Sequence, residues 1–379
     1  MADPDCRISE LEFVTPKRKL ETSMKLVERK QSNLERLLRA DPKRVNVTAS
    51  QMVRTTTLKA GEKLPLVIEP VRPDVNLVEW GKGHRHYIDE KLSQHGGVLL
   101  RGFAVPGVKE FEEFGQGQCG GLYGEYGDLP REAVSEKIYS ATPYPADQEI
   151  KFHNEGTHTG RWPLRILFHC LKPAEQGGET PVADCRKLYE QIDRRIIQQF
   201  KDKGIMYVRN FEVSHSYFDG LDVSWQEFFR TSEKSEVERR CKELGMDCEW
   251  KASGGLRIKQ VCPAVAPHPR TGEMVFFNQL QVHHISCMAP VYREPVKRLF
   301  KEEDLPRNAY FGDGTQIEDR VMEEISDVYS RNAVSFPWQT GDILLIDNML
   351  AAHMRNRYAG PRKIVVAMGD MIKKTEVQQ

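Results

Sequence analysis

Strand-like apolar runs stand on both sides of a helical block in this sequence, and that arrangement limits the folds open to it. Before the block, residues 96–103 form a short apolar run, 149–155 alternate, and 164–170 are almost wholly apolar. Residues 177–184 read as a Gly-Gly turn feeding a strand. Then Leu188, Ile192, Ile196 and Phe200 recur every four residues, which is one helix face, and the stripe stops at Gly204. Ser235 and Glu238 fit a capping box that opens a second helix ending at Gly245. Strand signals resume at 275–277, 342–347 and 363–368. A chain built of βαβ units would alternate helix and strand throughout. This one predicts a mainly β core with α additions.

Residues 1–66 are charged and poor in large apolar side chains, with Leu20, Met24, Leu26, Val27, Leu34 and Leu37 in a helical pattern. A helical N-terminal extension is expected over 1–66. One domain over 67–379 follows, carrying a helical insert around 186–250. Lysine plus arginine equals aspartate plus glutamate at 55 each, so no broad basic field speaks for nucleic acid. No run of about 18 apolar residues is present to span a membrane. The start, Met1-Ala2-Asp3-Pro4-Asp5, lacks the basic and then apolar stretches of a secretory signal. The eight cysteines form no C-x-x-C pair and read as reduced thiols of a cytoplasmic protein.

His153 and Glu155 are two residues apart on an expected strand, where alternate side chains share a face. His353 follows the strongest late strand. Two imidazoles and one carboxylate on one side of an ion make the facial triad of non-haem iron(II) oxygenases, which leaves positions free for co-substrate and dioxygen. An H-x-E pair alone arises by chance among eleven histidines. Two further features narrow the reading. Arg362 lies nine residues after His353 and would share a strand face with Ile364, Val366 and Met368. An inward arginine needs a partner, and a carboxylate suits its planar fork; a surface arginine or a structural ion pair is the plainer explanation. Thr180, at the Gly-Gly turn, offers a hydroxyl that can donate to a second carboxylate oxygen, or is simply a turn residue.

These residues resemble the taurine dioxygenase/clavaminate synthase superfamily of iron(II)- and 2-oxoglutarate-dependent oxygenases. The nearest branch is that typified by the syringomycin-pathway aspartyl hydroxylase. The resemblance is carried by Phe152-His153-Asn154-Glu155, Gly177-Gly178-Glu179-Thr180-Pro181, Phe276-Phe277-Asn278-Gln279 and Trp338-Gln339-Thr340-Gly341-Asp342. It continues through Asp347 to His353 and Gly360-Pro361-Arg362, and spans about 70–370. It implies a double-stranded β-helix, or jelly roll, with iron(II) held by His153, Glu155 and His353. It also implies 2-oxoglutarate held by Arg362 and Thr180, with dioxygen as the other co-substrate. Glu155 stands where aspartate is commoner, and its presence argues against a halogenase. Met354 replaces the glycine that many relatives carry after the distal histidine.

The activity so implied is hydroxylation, or another oxidation, of an unactivated carbon, with release of succinate and carbon dioxide. The resemblance implies an amino acid or amino-acid derivative in specialised metabolism, sometimes tethered to a peptide-synthetase carrier protein. Asn154 and His158 flank Glu155 and are candidate pocket residues, and Arg131 is a candidate partner for a substrate carboxylate. A structural role is the stronger expectation for each. His283 and His284 mimic a metal pair, but adjacent strand residues face opposite ways, so packing is expected of them. A zinc hydrolase using the same three side chains, or a non-catalytic β-fold binding protein, are the alternatives.

Overall fold

The segment Arg161–Lys172 reads RWPLRILFHCLK, and every residue from 162 to 170 is buried, so both faces of this strand must be covered. The computed structural model of the protein describes residues 52–105, 107–124, 133–140, 144–211 and 223–377. The chain divides into two units, Met1–Thr48 and Ala49–Gln379, and the described residues belong to the second.

In chain order the strands are β1 (Val53–Thr57), β2 (Leu66–Pro70), β3 (Gly97–Leu100), β4 (Tyr139–Ser140), β5 (Ile150–His153) and β6 (Arg161–Lys172). Next come β7 (Gln176–Gly177), β8 (Val182–Asp184), β9 (Ile205–Phe211), β10 (Asp247–Trp250), β11 (Leu256–Cys262) and β12 (Val265–Pro267). The last are β13 (Met274–Phe276), β14 (Arg307–Phe311), β15 (Ile343–Asp347), β16 (Ala351–Arg355), β17 (Tyr358–Ala359) and β18 (Lys363–Lys373). The main sheet has the order β1-β2-β3-β15-β6-β18-β4, antiparallel except for β2 beside β3. Strand alternation divides its side chains into two cores. Leu167, Ile343, Leu345, Val365 and Ala367 face one way, onto Leu77, Ile88, Phe111 and Phe114 of three covering helices. Ile166, Phe168, Leu344, Ile346, Ile364, Val366 and Met368 face the other way, into the interior.

A three-stranded sheet, β5-β16-β8, has β16 at its centre. His353 of β16 is in register with His153 of β5 on one side and with Val182 of β8 on the other. A four-stranded antiparallel sheet, β10-β11-β9-β14, carries its own apolar core of Phe211, Trp225, Phe229, Val237, Cys241, Leu256 and Ile258. The sheets are substantial, and none closes into a barrel among the described residues.

Several expectations need revision. Residues 1–51 of the expected helical extension lie outside the described residues. Val53–Thr57, also expected to be helical, is a strand paired with β2, so the core domain begins before 67. The block around 186–250 is not wholly helical, because it also supplies β9 and β10. The stripe from Leu188 to Phe200 is two helices, Cys185–Gln191 and Arg194–Lys203. Asp193 breaks it by capping the second helix, its side chain accepting from the Arg195 N–H at 2.7 Å. Ser235 lies inside the helix Lys234–Leu244, and the capping box belongs to Ser224 and Glu227 instead. Gly204 and Gly245 do end their helices, both with positive φ.

Candidate active site

β5 ends at His153, so Glu155 is not on the strand but in the turn that follows. What aims it is Asn348, fully buried after β15. The Glu155 N–H donates to Asn348 Oδ1 (2.8 Å), and Asn348 Nδ2 donates back to the Glu155 carbonyl (2.9 Å) and to that of Pro163 (2.9 Å). Asn154 completes the frame. Its Nδ2 donates to the Asn348 carbonyl (2.7 Å), and its Oδ1 accepts from the Asn278 N–H (2.9 Å). Asn154 is therefore engaged in holding the turn, with its own amide satisfied inside the protein.

The His153 Nδ1–H donates to the Lys151 carbonyl at 2.8 Å. A carbonyl only accepts, so this bond fixes the tautomer and leaves the Nε2 lone pair for a metal. Nε2 is 3.9 Å from Glu155 Oε2. The rings of His153 and His353 are 4.3 Å apart, and Phe168 packs 5.1 Å from His353. One ligand atom from each of His153, Glu155 and His353 lies within 4.8 Å of the others. Two nitrogens and an oxygen at that spacing, all buried, suit a divalent first-row ion. Among the described residues no other group of three such side chains converges.

A small cavity joins this cluster to Thr180, Arg355 and Arg362, with Ile364 and Val366 in its wall. Arg362 donates from Nε to the Gly178 carbonyl (2.9 Å) and lies over the Tyr358 ring at 5.5 Å. No carboxylate among the described residues pairs with it. Burial, and after it the neighbouring Arg355, pushes its guanidinium down to about 10. Gly178 makes room for it. Its φ is +74°, and a Cβ there would stand 3.0 Å from Arg362 Cδ. Thr180 Oγ1 accepts from the Trp338 indole N–H at 3.2 Å, which leaves the hydroxyl proton to be donated elsewhere.

Of the other expected residues, His158 is buried and lines a larger cavity together with Glu155. Arg131 lies outside the described residues. His283 and His284 are packing histidines. His283 Nδ1–H donates to the Gln279 carbonyl (3.1 Å), and His284 Nε2–H donates to that of Ile317 (3.0 Å). Residue reasoning missed Asn348, Trp338 and Arg355. Arg355 donates to the carbonyls of Tyr144, Pro145 and Gln148 at 2.6–2.9 Å, tying down the approach to β5. Its position two residues after His353 was the available signal.

A β fold with two histidines and one carboxylate around a point, and an uncompensated arginine nearby, defines a mononuclear oxygenase centre of the facial-triad class. Residues 60–368 match the family described as "Taurine catabolism dioxygenase TauD, TfdA family", and the chain belongs to it. It is 36% identical over 288 residues to the dapdiamide synthesis protein DdaC of Enterobacter agglomerans, covering 76% of this chain and 86% of that one. It is 28% identical over 295 residues to a clavaminate synthase-like protein of Arabidopsis thaliana, covering 76% and 85%. The fold is shared with PvcB, described as an Fe, alpha-ketoglutarate dependent oxygenase from an isonitrile synthetic pathway. That match has a TM-score of 0.52, 14% identity, and coverage of 88% and 98%. A taurine dioxygenase from Burkholderia xenovorans matches with a TM-score of 0.50, 12% identity, and coverage of 86% and 92%. The jelly-roll expectation holds. The protein is an iron(II)- and 2-oxoglutarate-dependent dioxygenase acting on a small molecule, and the zinc hydrolase and binding-protein alternatives fall away. Among the described residues no helix is long and apolar enough to cross a membrane.

Proposed function

We propose that His153, Glu155 and His353 hold iron(II), and that Arg362 and Thr180 hold 2-oxoglutarate. On this reading the enzyme hydroxylates an unactivated carbon of an amino acid or amino-acid derivative in specialised metabolism. The observation that carries the reading is Arg362, a half-buried cation with no carboxylate partner among the described residues, in the same cavity as the three candidate ligands. A bound dicarboxylate supplies the missing charge. The similarity to a protein of dapdiamide synthesis supports a place in specialised metabolism. The seven described cysteines are free, which supports a cytoplasmic setting.

Iron with 2-oxoglutarate and dioxygen supplies the oxidising power, releasing succinate and carbon dioxide. The chain's part is positional. The His153 imidazole is fixed by the Lys151 carbonyl and the Glu155 main chain by Asn348, Arg362 receives the distal carboxylate of the co-substrate, and Thr180 donates its proton to a carboxylate oxygen. Phe168, Ile364 and Val366 supply the apolar part of the cavity wall, which limits access of water.

The test is succinate release. Protein purified without oxygen receives iron(II), 2-oxoglutarate and a panel of amino acids, either free or loaded on a peptide-synthetase carrier, and air is then admitted. Succinate made in step with an oxidised amino acid is expected, and the two arms decide whether a carrier is a partner. His353→Ala should bring iron stoichiometry to background. Unchanged stoichiometry would refute the ligand assignment.

A further inference from the structure

The larger cavity, about 490 Å³, is lined by Glu155 and His158 on the metal side and by Phe228, Phe229, Met246 and Met368 as apolar wall. Arg161, Arg230, Arg239 and Arg240 also line it; Arg230 is exposed, and the other three differ in their partners. Arg239 and Arg240 are neutralised by Glu236, each at 2.7 Å, and Arg239 also pairs with Glu243. Arg161 has no carboxylate partner among the described residues. Its guanidinium lies over the Tyr123 ring at 5.2 Å and donates to the Tyr123 hydroxyl. That hydroxyl accepts from Arg161, so its own proton is left to be given away. Tyr123 is itself fixed, its N–H donating to the Met368 carbonyl at 2.7 Å. Arg161 opens β6, six residues after Glu155, and the turn between them is tight: a Cβ on Gly156 would come within 3.4 Å of the Arg161 carbonyl.

We infer that Arg161, assisted by the Tyr123 hydroxyl, receives a free carboxylate of the substrate, whose apolar body lies along the Phe228, Met246 and Met368 wall. The inference rests on the reading of His153, Glu155 and His353 as the iron site, because that places this cavity beside the reacting centre. A planar guanidinium with a second donor beside it fits a carboxylate fork, and an apolar wall rewards a hydrocarbon body. A carboxyl group tied up as an ester, amide or carrier thioester has lost the charge that Arg161 would read. Arg161 is a specificity-determining residue on this account, distinct from Arg362, which serves the co-substrate.

The test is calorimetric binding to the full chain loaded with manganese(II) and N-oxalylglycine. The probes are N-acetyl-L-leucine, N-acetyl-L-methionine and their methyl esters. The acids should bind at least about tenfold more tightly than the esters, Arg161→Gln should remove that preference, and Arg161→Lys should restore part of it. Manganese titration should be the same for all three proteins. Equal binding of acid and ester, an Arg161→Gln protein that still prefers the acids, or no binding of either acid overturns the inference. Its failure is separable from that of the proposed function. Succinate formed with an oxidised amino acid would stand even if Arg161 proved indifferent, and carboxylate binding through Arg161 would stand even if no amino acid were oxidised.

Discussion

Asn348 grips Glu155 by both main-chain polar groups, its Oδ1 taking the N–H at 2.8 Å and its Nδ2 reaching the carbonyl at 2.9 Å. The proposed metal ligand is thus aimed by a residue 193 positions away in sequence, and no strand geometry does the work. Asn348→Ala should leave the fold standing and weaken manganese(II) or iron(II) binding by about 10–100-fold, as loss of a ligand's support usually does. Metal titration with circular dichroism as the control reads this out. Wild-type affinity in a folded variant would show that Asn348 only fills space.

Arg362→Leu should raise the KM for 2-oxoglutarate by roughly 30-fold or more, since losing one member of a buried charge pair costs about 2–5 kcal/mol. The guanidinium sits at about 10 in the fold against 12.5 ordinarily. Between those values the unfolded chain holds more protons, so the apo protein gains stability as pH rises through that window. At neutral pH the charged arginine is held at a cost, which a bound dicarboxylate offsets. The melting rise given by 2-oxoglutarate should therefore be full at pH 7 and fade as pH passes about 10. A rise unchanged in Arg362→Leu would place the co-substrate elsewhere.

Gly178→Ala tests the berth from its backbone side. The left-handed φ costs an alanine about 1–2 kcal/mol, and the new methyl meets Arg362 Cδ. We expect a weaker 2-oxoglutarate KM with metal affinity preserved. Parallel losses of both would point to general unfolding instead.

Asp342, nearly inaccessible, accepts from Arg101 at 3.0 and 2.6 Å and from the Gln339 N–H at 2.8 Å. Arg101→Leu leaves that carboxylate buried without its cation and should cost roughly 3 kcal/mol of stability in urea unfolding. A loss under about 1 kcal/mol would mean that Asp342 recruits water or a proton.

The chemistry of the site was easier to read than its scaffolding. Histidine, glutamate and arginine at set intervals announce what they can bind, and the strands that carry them are marked by apolar runs. Strand alternation does not by itself pair His153 with Glu155, because it ends at His153 and the turn is aimed from Asn348. Such a long-range amide clasp leaves no local trace in sequence. Ile192 kept the four-residue rhythm of its stripe while Asp193 beside it broke the helix, so periodicity concealed the break. β9 was lost within a block read as helical, although Ile205, Tyr207 and Phe211 alternate as a strand should. Arg161 was overlooked because an arginine at a strand start is ordinary until its neighbours are known.

β16 lies between β5 and β8, so one five-residue segment sets where His353 stands relative to His153 and to the turn that presents Thr180. Sliding it by a single position would swing His353 to the opposite side. The proposed iron centre therefore depends on that single register. The wall formed by Phe228 and Met246 belongs to other parts of the chain, so on the inferred role of that cavity substitutions there change what the enzyme accepts without touching the residues proposed to hold iron or 2-oxoglutarate.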